Sequence, residues 1–278
     1  MVDVHCHLNF HSFEKDLDEV VKRAFDAGVT KIINVGTSIP SSIKAIELAH
    51  KFNSPAGEMY AIIGVHPHHA DKADREFEGE IQTDWLEKLT KLTSEDNVVG
   101  IGEIGLDYHA YKSNGIVDKR IQEDAFRKQI ELSIERKLPL QIHNRLAGED
   151  IVKILMNYKN SFQNPPGMFH CMSGDISFLK KVLDLGFYVG FDGNITYKGI
   201  AKGETIELSE LVKYAPLNRI VTETDSPFLT PQPYRGSRNE PSHVIIVAKF
   251  IAKLKGISFE KVSQQTTENA EAVFKLNS

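Results

Sequence analysis

Eight short strand-like runs alternate with amphipathic stretches along the chain, a pattern that predicts an α/β protein built as a closed (β/α)8 TIM barrel. Two further observations separate this from an open doubly wound sheet. The first strand runs into His7-Leu8-Asn9-Phe10, with no GxGxxG or Walker loop where an open nucleotide-binding sheet carries one. The 278 residues contain no low-complexity tract and no Pro/Ser-rich linker, so one barrel domain is expected to span 1–278.

Taken in order, the strands are expected at 2–8, 31–36, 60–65, 98–104, 138–143, 167–171, 187–192 and 219–224. Helical patterns lie between them, at 13–27 and 41–52 among others. In 118–137, Ile121, Ala125, Ile130, Leu132 and Ile134 recur among charges at roughly helical spacing. Gly28 and Gly186 follow helical runs, where a left-handed cap belongs. A final helix pair at 241–255 and 258–275 is expected to complete the outer ring.

Composition narrows the partners. With 41% hydrophobic and 26% charged residues, the chain can bury a large core without disulfides or a structural metal. A net charge of −5 excludes a polybasic surface, so a nucleic acid must be gripped by local cationic sites. Two cysteines, Cys6 and Cys171, are too few for a secreted disulfide scaffold. The start of the sequence lacks a basic and then apolar leader, and no apolar run could span a bilayer. A cytoplasmic protein with no membrane partner is expected.

The chemistry lies where strands end. His5 and His7 are two apart, so strand periodicity puts both imidazoles on one face. Glu103 lies near the end of strand four, His143 and His170 end strands five and six, and Asp225 follows strand eight. In a barrel all these ends open on one face. A lone strand histidine is commonly structural, but six such coincidences at strand ends point to convergence. Four imidazoles and two carboxylates suit zinc, manganese or magnesium, and are too many for one tetrahedral ion with an open position. Two divalent metal ions bridged by Glu103 use the set economically. The same alternation turns Cys6 and Cys171 outward, away from each other and from the ligands.

Several motifs in order then identify a family resemblance covering nearly the whole chain. They are Asp3-Val4-His5-Cys6-His7-Leu8, Gly64-Val65-His66-Pro67-His68, Gly102-Glu103-Ile104-Gly105-Leu106-Asp107-Tyr108, His143-Asn144-Arg145, His170-Cys171-Met172-Ser173-Gly174 and Glu223-Thr224-Asp225-Ser226-Pro227. Arg235-Gly236-Ser237-Arg238-Asn239-Glu240-Pro241 follows. The sequence resembles the TatD family of metal-dependent deoxyribonucleases, a branch of the amidohydrolase-like barrels. The resemblance implies that His5, His7 and Asp225 hold one metal with Glu103, which bridges to a second completed by His143 and His170. Related amidohydrolases often bridge with a carbamylated lysine, but 98–107 contains none. Asn144 and Met172 depart from the more usual serine and aromatic, differences that bear on substrate fit.

The expected reaction is phosphodiester hydrolysis, with Glu103 and Asp225 catalytic and Asp225 the general base for a water activated by the metals. Arg145, two residues beyond His143, is expected to fork onto phosphate, with an ion pair to Glu149 or Asp150 as the structural alternative. His66 and His68, flanking Pro67, either contact the substrate phosphate or brace the loop, and the resemblance favours the first; Arg235 and Arg238 are expected to grip a flanking phosphate. Charge clusters are only local, Lys112, Lys119 and Arg120 on one side and Arg235 and Arg238 on the other. Short or single-stranded DNA ends therefore suit better than duplex, matching the exonuclease-type trimming that the resemblance implies. Phe10, Tyr108 and Tyr197 could stack on a base or simply pack. No obligate protein partner is inferred. The competing reading is an amidohydrolase-type enzyme acting on a small C–N or ester substrate, since metal ligands do not name the scissile bond.

Overall fold

The computed structural model describes residues 1–73, 84–111 and 115–276. Eight parallel strands follow one another in sequence order: β1 (Val2–Cys6), β2 (Lys31–Val35), β3 (Glu58–Ile63), β4 (Val98–Asp107), β5 (Leu140–Arg145), β6 (Gly167–Phe169), β7 (Tyr188–Phe191) and β8 (Ile220–Thr222). The ring closes between β8 and β1, where Asp225 N donates to His5 O at 2.9 Å and His7 N to Ser226 O at 2.8 Å. The TIM barrel read from the alternation is the fold observed.

Helices α1 (Leu17–Asp26), α2 (Ile39–Phe52), α3 (Trp85–Leu92), α4 (Lys119–Arg136), α5 (Gly148–Met156), α6 (Ile176–Asp184), α7 (Leu208–Tyr214) and α8 (Val244–Lys255) lie between or after the strands. Side-chain caps mark several starts: Ser38 accepts from Ser41 N at α2, Asp118 from Arg120 N at α4 and Asp175 from Phe178 N at α6. Gly28 (φ 95°) and Gly186 (φ 91°) adopt the left-handed conformation expected after α1 and α6. Among the described residues, no helix is long and apolar enough to cross a membrane.

The last helix, α9 (Phe259–Phe274), departs from the expected ring. Its Ala270, Val273 and Phe274 share a face and pack with the inward residues Val2, Val4, Ile33, Ile62, Met168 and Val221. Asn269 Nδ2 donates to Leu217 O at 2.9 Å and Ile220 O at 2.7 Å, pinning the helix under the start of β8. Thus α9 plugs the N-terminal end of the barrel. That apolar stripe is removed from water among nine barrel-interior strand residues.

Two strand irregularities aim the opposite mouth. A register shift between Asp3 and Cys6 breaks the alternation of β1. Val2 and Val4 stay in the barrel interior below it, whereas Cys6 and Leu8 join the layer between strands and helices. His5 and His7 are thereby delivered to the mouth. A second shift, between Ile101 and Ile104 of β4, does the same for Glu103.

Candidate metal centre

His5 and His7 face each other with their Nε2 atoms 3.0 Å apart. His7 Nδ1 lies 2.9 Å from Val35 O; a carbonyl only accepts, so Nδ1 carries the hydrogen and Nε2 keeps its lone pair. Glu103 Oε2 is 3.7 Å from each of the two Nε2 atoms, and Asp225 Oδ1 is 3.6 Å from each. A tetrahedral ion with bonds of about 2.1 Å needs donors about 3.4 Å apart. His5, His7 and Asp225 match that size and chemistry, and Glu103 Oε2 stands beside both imidazoles.

Asp225 reaches this point through backbone shape. It has φ 53°, and the residue before it is tied to β1: Thr224 N donates to Asp3 Oδ1 at 3.0 Å and Thr224 Oγ1 to Asp3 Oδ2 at 2.7 Å. The buried Asp3 carboxylate thus fixes the strand that presents Asp225.

The other oxygen of Glu103 faces a second group. Oε1 lies 2.7 Å from His143 Nδ1, 3.5 Å from His66 Nε2 and 3.8 Å from His170 Nε2. His170 Nδ1 is 3.1 Å from Glu223 Oε2, which leaves Nε2 directed at Glu103. Its ring stacks on His5 with centroids 3.6 Å apart. Imidazoles thus lie on both sides of one carboxylate, with Asp225 joining the first group, and this donor chemistry suits divalent cations.

Electrostatics sharpen the picture. Burial opposes ionisation of Glu103, but attraction to the neighbouring His66 and His143 imidazoles, with the hydrogen bond from His143, outweighs it and holds its pKa well below the usual carboxylate range. Burial also opposes charge on His143 and His170. Hydrogen bonds to Asp107 and Glu103 nevertheless push His143 up to about 9, and Glu223 pushes His170 up to about 10. His5 goes the other way, held well below normal by burial and the neighbouring His170. Burial lowers His66 to about 4.

The expected substrate contacts separate into three kinds. His66 and His68 line the site itself, His68 Nε2 standing 3.0 Å from Asp107 Oδ2. Arg145 is exposed, donates to Tyr111 Oη at 2.5 Å, and pairs with neither Glu149 nor Asp150; Asp150 instead accepts from Tyr108 Oη at 2.9 Å. Arg235 lies over the Tyr197 ring at 4.0 Å with no carboxylate partner among the described residues. Arg238 is already paired. Its guanidinium forks onto Asp16 at 2.8 and 2.6 Å and onto Ser12 O, over the Phe13 ring, and so braces a loop. Lys112 lies outside the described residues. Lys119 covers the Tyr108 ring and Arg120 pairs with Asp118.

Cys6 packs outward as expected, and both cysteines are free thiols. Cys171 does not follow strand alternation, because β6 has already ended at Phe169 and Cys171 takes φ 48°. Its amide donates to Glu223 Oε1 at 2.6 Å, and its sulfur accepts from Asn194 Nδ2 at 3.3 Å. Of the aromatic residues, Phe10 stacks on His7 at 4.5 Å and meets the exposed Phe228 edge-on.

Sequence reasoning gave no role to Asp107 or Glu223, the carboxylates behind His143 and His170. Both carried a signal: Asp107 is two alternation steps from Glu103, and Glu223 is two residues before Asp225.

Comparison with known proteins agrees with this architecture. A model of the TatD related DNase family matches residues 2–275. The uncharacterized metal-dependent hydrolase YabD of Bacillus subtilis is 40% identical over 100% of both chains. A protein of Erwinia amylovora named 3'-5' ssDNA/RNA exonuclease TatD is 33% identical over 99% of this chain and 100% of its own. Among solved structures, the TatD homologue YJJV of Escherichia coli superposes with a TM-score of 0.85 at 24% identity, covering 100% of this chain and 98% of that one. With the barrel intact and the family model matched almost from end to end, this chain belongs to the TatD family of metal-dependent hydrolases.

Proposed function

We propose that the protein hydrolyses phosphodiester bonds with two divalent cations, as an exonuclease trimming single-stranded DNA ends. The observation that carries this reading is Glu103, whose two oxygens face separate groups of nitrogen and oxygen donors. The exonuclease name of the Erwinia relative supports the substrate class.

His5, His7, Glu103 and Asp225 would hold one cation, and Glu103, His143 and His170 the other; magnesium, manganese and zinc all suit the donors. When bound, the pair would lower the pKa of water toward neutrality and neutralise a phosphate oxygen. Asp225 takes the proton of the attacking water and returns one to the leaving oxygen. His66 accepts from His68 N at 3.1 Å through Nδ1, so its Nε2 carries the hydrogen and offers a neutral donor to the phosphate. Arg145 and Arg235, exposed and without carboxylate partners among the described residues, hold flanking phosphates. Two free thiols accord with a reducing, cytoplasmic setting.

End-labelled single-stranded DNA, incubated with magnesium, manganese or EDTA, tests the reading, with matched RNA alongside. Mononucleotides should accumulate only with metal. Glu103→Ala should abolish cleavage, and Asp225→Asn should reduce it by about 10²–10⁴-fold while circular dichroism stays unchanged. A wild type that cleaves no oligonucleotide with any metal overturns the proposal in favour of a small-molecule hydrolase.

A further inference from the structure

We propose that Asp107 is a positioning residue that orients His143, so that this histidine meets the second cation through Nδ1. The proposal rests on the dinuclear reading above. Glu103, Gly105 and Asp107 occupy alternate positions of β4, and Gly105 pairs with His143 of β5. The strands approach so closely that a Cβ on Gly105 (φ +146°) would lie 2.0 Å from His143 O. Only glycine lets the two flanking carboxylates reach the same imidazole from opposite sides.

Asp107 is buried, and its two oxygens are fully engaged. Oδ1 accepts from His109 N at 2.9 Å. Oδ2 accepts from Tyr111 Oη at 3.0 Å and stands 3.1 Å from His143 Nε2 and 3.0 Å from His68 Nε2. An ionised carboxylate only accepts, so His143 Nε2 carries a hydrogen. Nδ1, 2.7 Å from Glu103 Oε1, is then the nitrogen on the shared carboxylate's side. Val35 O performs the same service for His7, and Glu223 for His170, but each leaves Nε2 as the donor.

Donor atoms of His66, Asp107 and His143 also lie within 4.8 Å of one another, which suggests a third cation site. His66 argues against it. Its Nδ1 already accepts from His68 N, and the hydrogen on Nε2 leaves the neutral ring no lone pair for a metal. The cluster is a hydrogen-bonded support behind the second site.

The test counts zinc by elemental analysis in wild type, Asp107→Leu and Asp107→Asn, with circular dichroism of the EDTA-treated proteins as the folding check. Wild type should bind two equivalents. Asp107→Leu should keep one and bind the other about 10–100-fold more weakly, whereas Asp107→Asn, which retains an oxygen acceptor, should stay close to wild type. Two equivalents bound by Asp107→Leu as tightly as by wild type overturn the positioning role. A third wild-type equivalent lost in both variants makes Asp107 a ligand and overturns it too. One equivalent in wild type sinks the dinuclear reading itself, a separate failure. Should Asp107→Leu not fold, long-range proton–nitrogen correlation spectra of zinc-loaded wild type decide: hydrogen on Nε2 of His143 with Nδ1 bound supports the proposal, and the reverse overturns it.

Discussion

His143 and His170 couple cation binding to protons. With pKa values pushed to about 9 and about 10, both imidazoles are charged at neutral pH in the metal-free protein. A nitrogen that donates its lone pair to a cation must first lose its hydrogen. Raised pKa values therefore oppose loading at pH 7, and the opposition fades as pH climbs toward 9. Calorimetric titration with zinc in buffers of different ionisation enthalpy should register release of about two protons per protein at pH 7, with affinity rising between pH 7 and 9. Titration heats that do not depend on the buffer would contradict this. That the six side chains meet was legible from strand ends alone, because each lies at the same end of its strand and a barrel has one such face. Which nitrogen each imidazole presents was not legible, since it depends on Val35 O, Glu223 and Asp107, partners identified only in space.

Loops and helices carried less readable information than strands. The segment after β8 supplies two arginines three residues apart, equal candidates by sequence, yet packing divides them. Arg235 projects over Tyr197, whereas Arg238 is spent on Asp16, just ahead of α1, with Arg23 and Glu240 forming a second pair across the same seam. Removing each guanidinium should separate their roles. Arg235→Ala and Arg145→Ala should raise KM for oligonucleotide several-fold at unchanged metal content and thermal stability. Arg238→Ala should leave KM alone and lower stability by about 1 kcal/mol, the size of a partly exposed bidentate pair with a ring contact. Equal KM effects at Arg235 and Arg238 would return both to the substrate. Helix α9 shows the same limit from another side. Its periodicity marks an apolar face, but periodicity does not say whether that face meets the outside of the sheet or the barrel's open end.

At the scale of the whole molecule, the six proposed ligands come from the ends of β1, β4, β5, β6 and β8, spanning His5 to Asp225. The opposite end is held differently, by the apolar contacts of α9 with Val2, Ile33, Ile62 and Val221. The mouth, by contrast, gathers buried carboxylates and imidazoles whose mutual burial stabilises nothing without partners. Cations binding only the folded arrangement would join five strands there, and at a concentration one hundred times Kd each contributes about 2.7 kcal/mol. For a chain of this size that corresponds to a rise in Tm of about 5 °C per ion. Wild type should therefore melt distinctly higher with manganese or zinc than with EDTA, and the difference should grow with metal concentration. Glu103→Ala, which removes the carboxylate common to both groups, should nearly erase it, while Phe274→Ala should lower Tm equally with and without metal because its contacts lie at the other end. Identical melting of wild type in metal and in EDTA would mean that the strand ends are held by protein contacts alone.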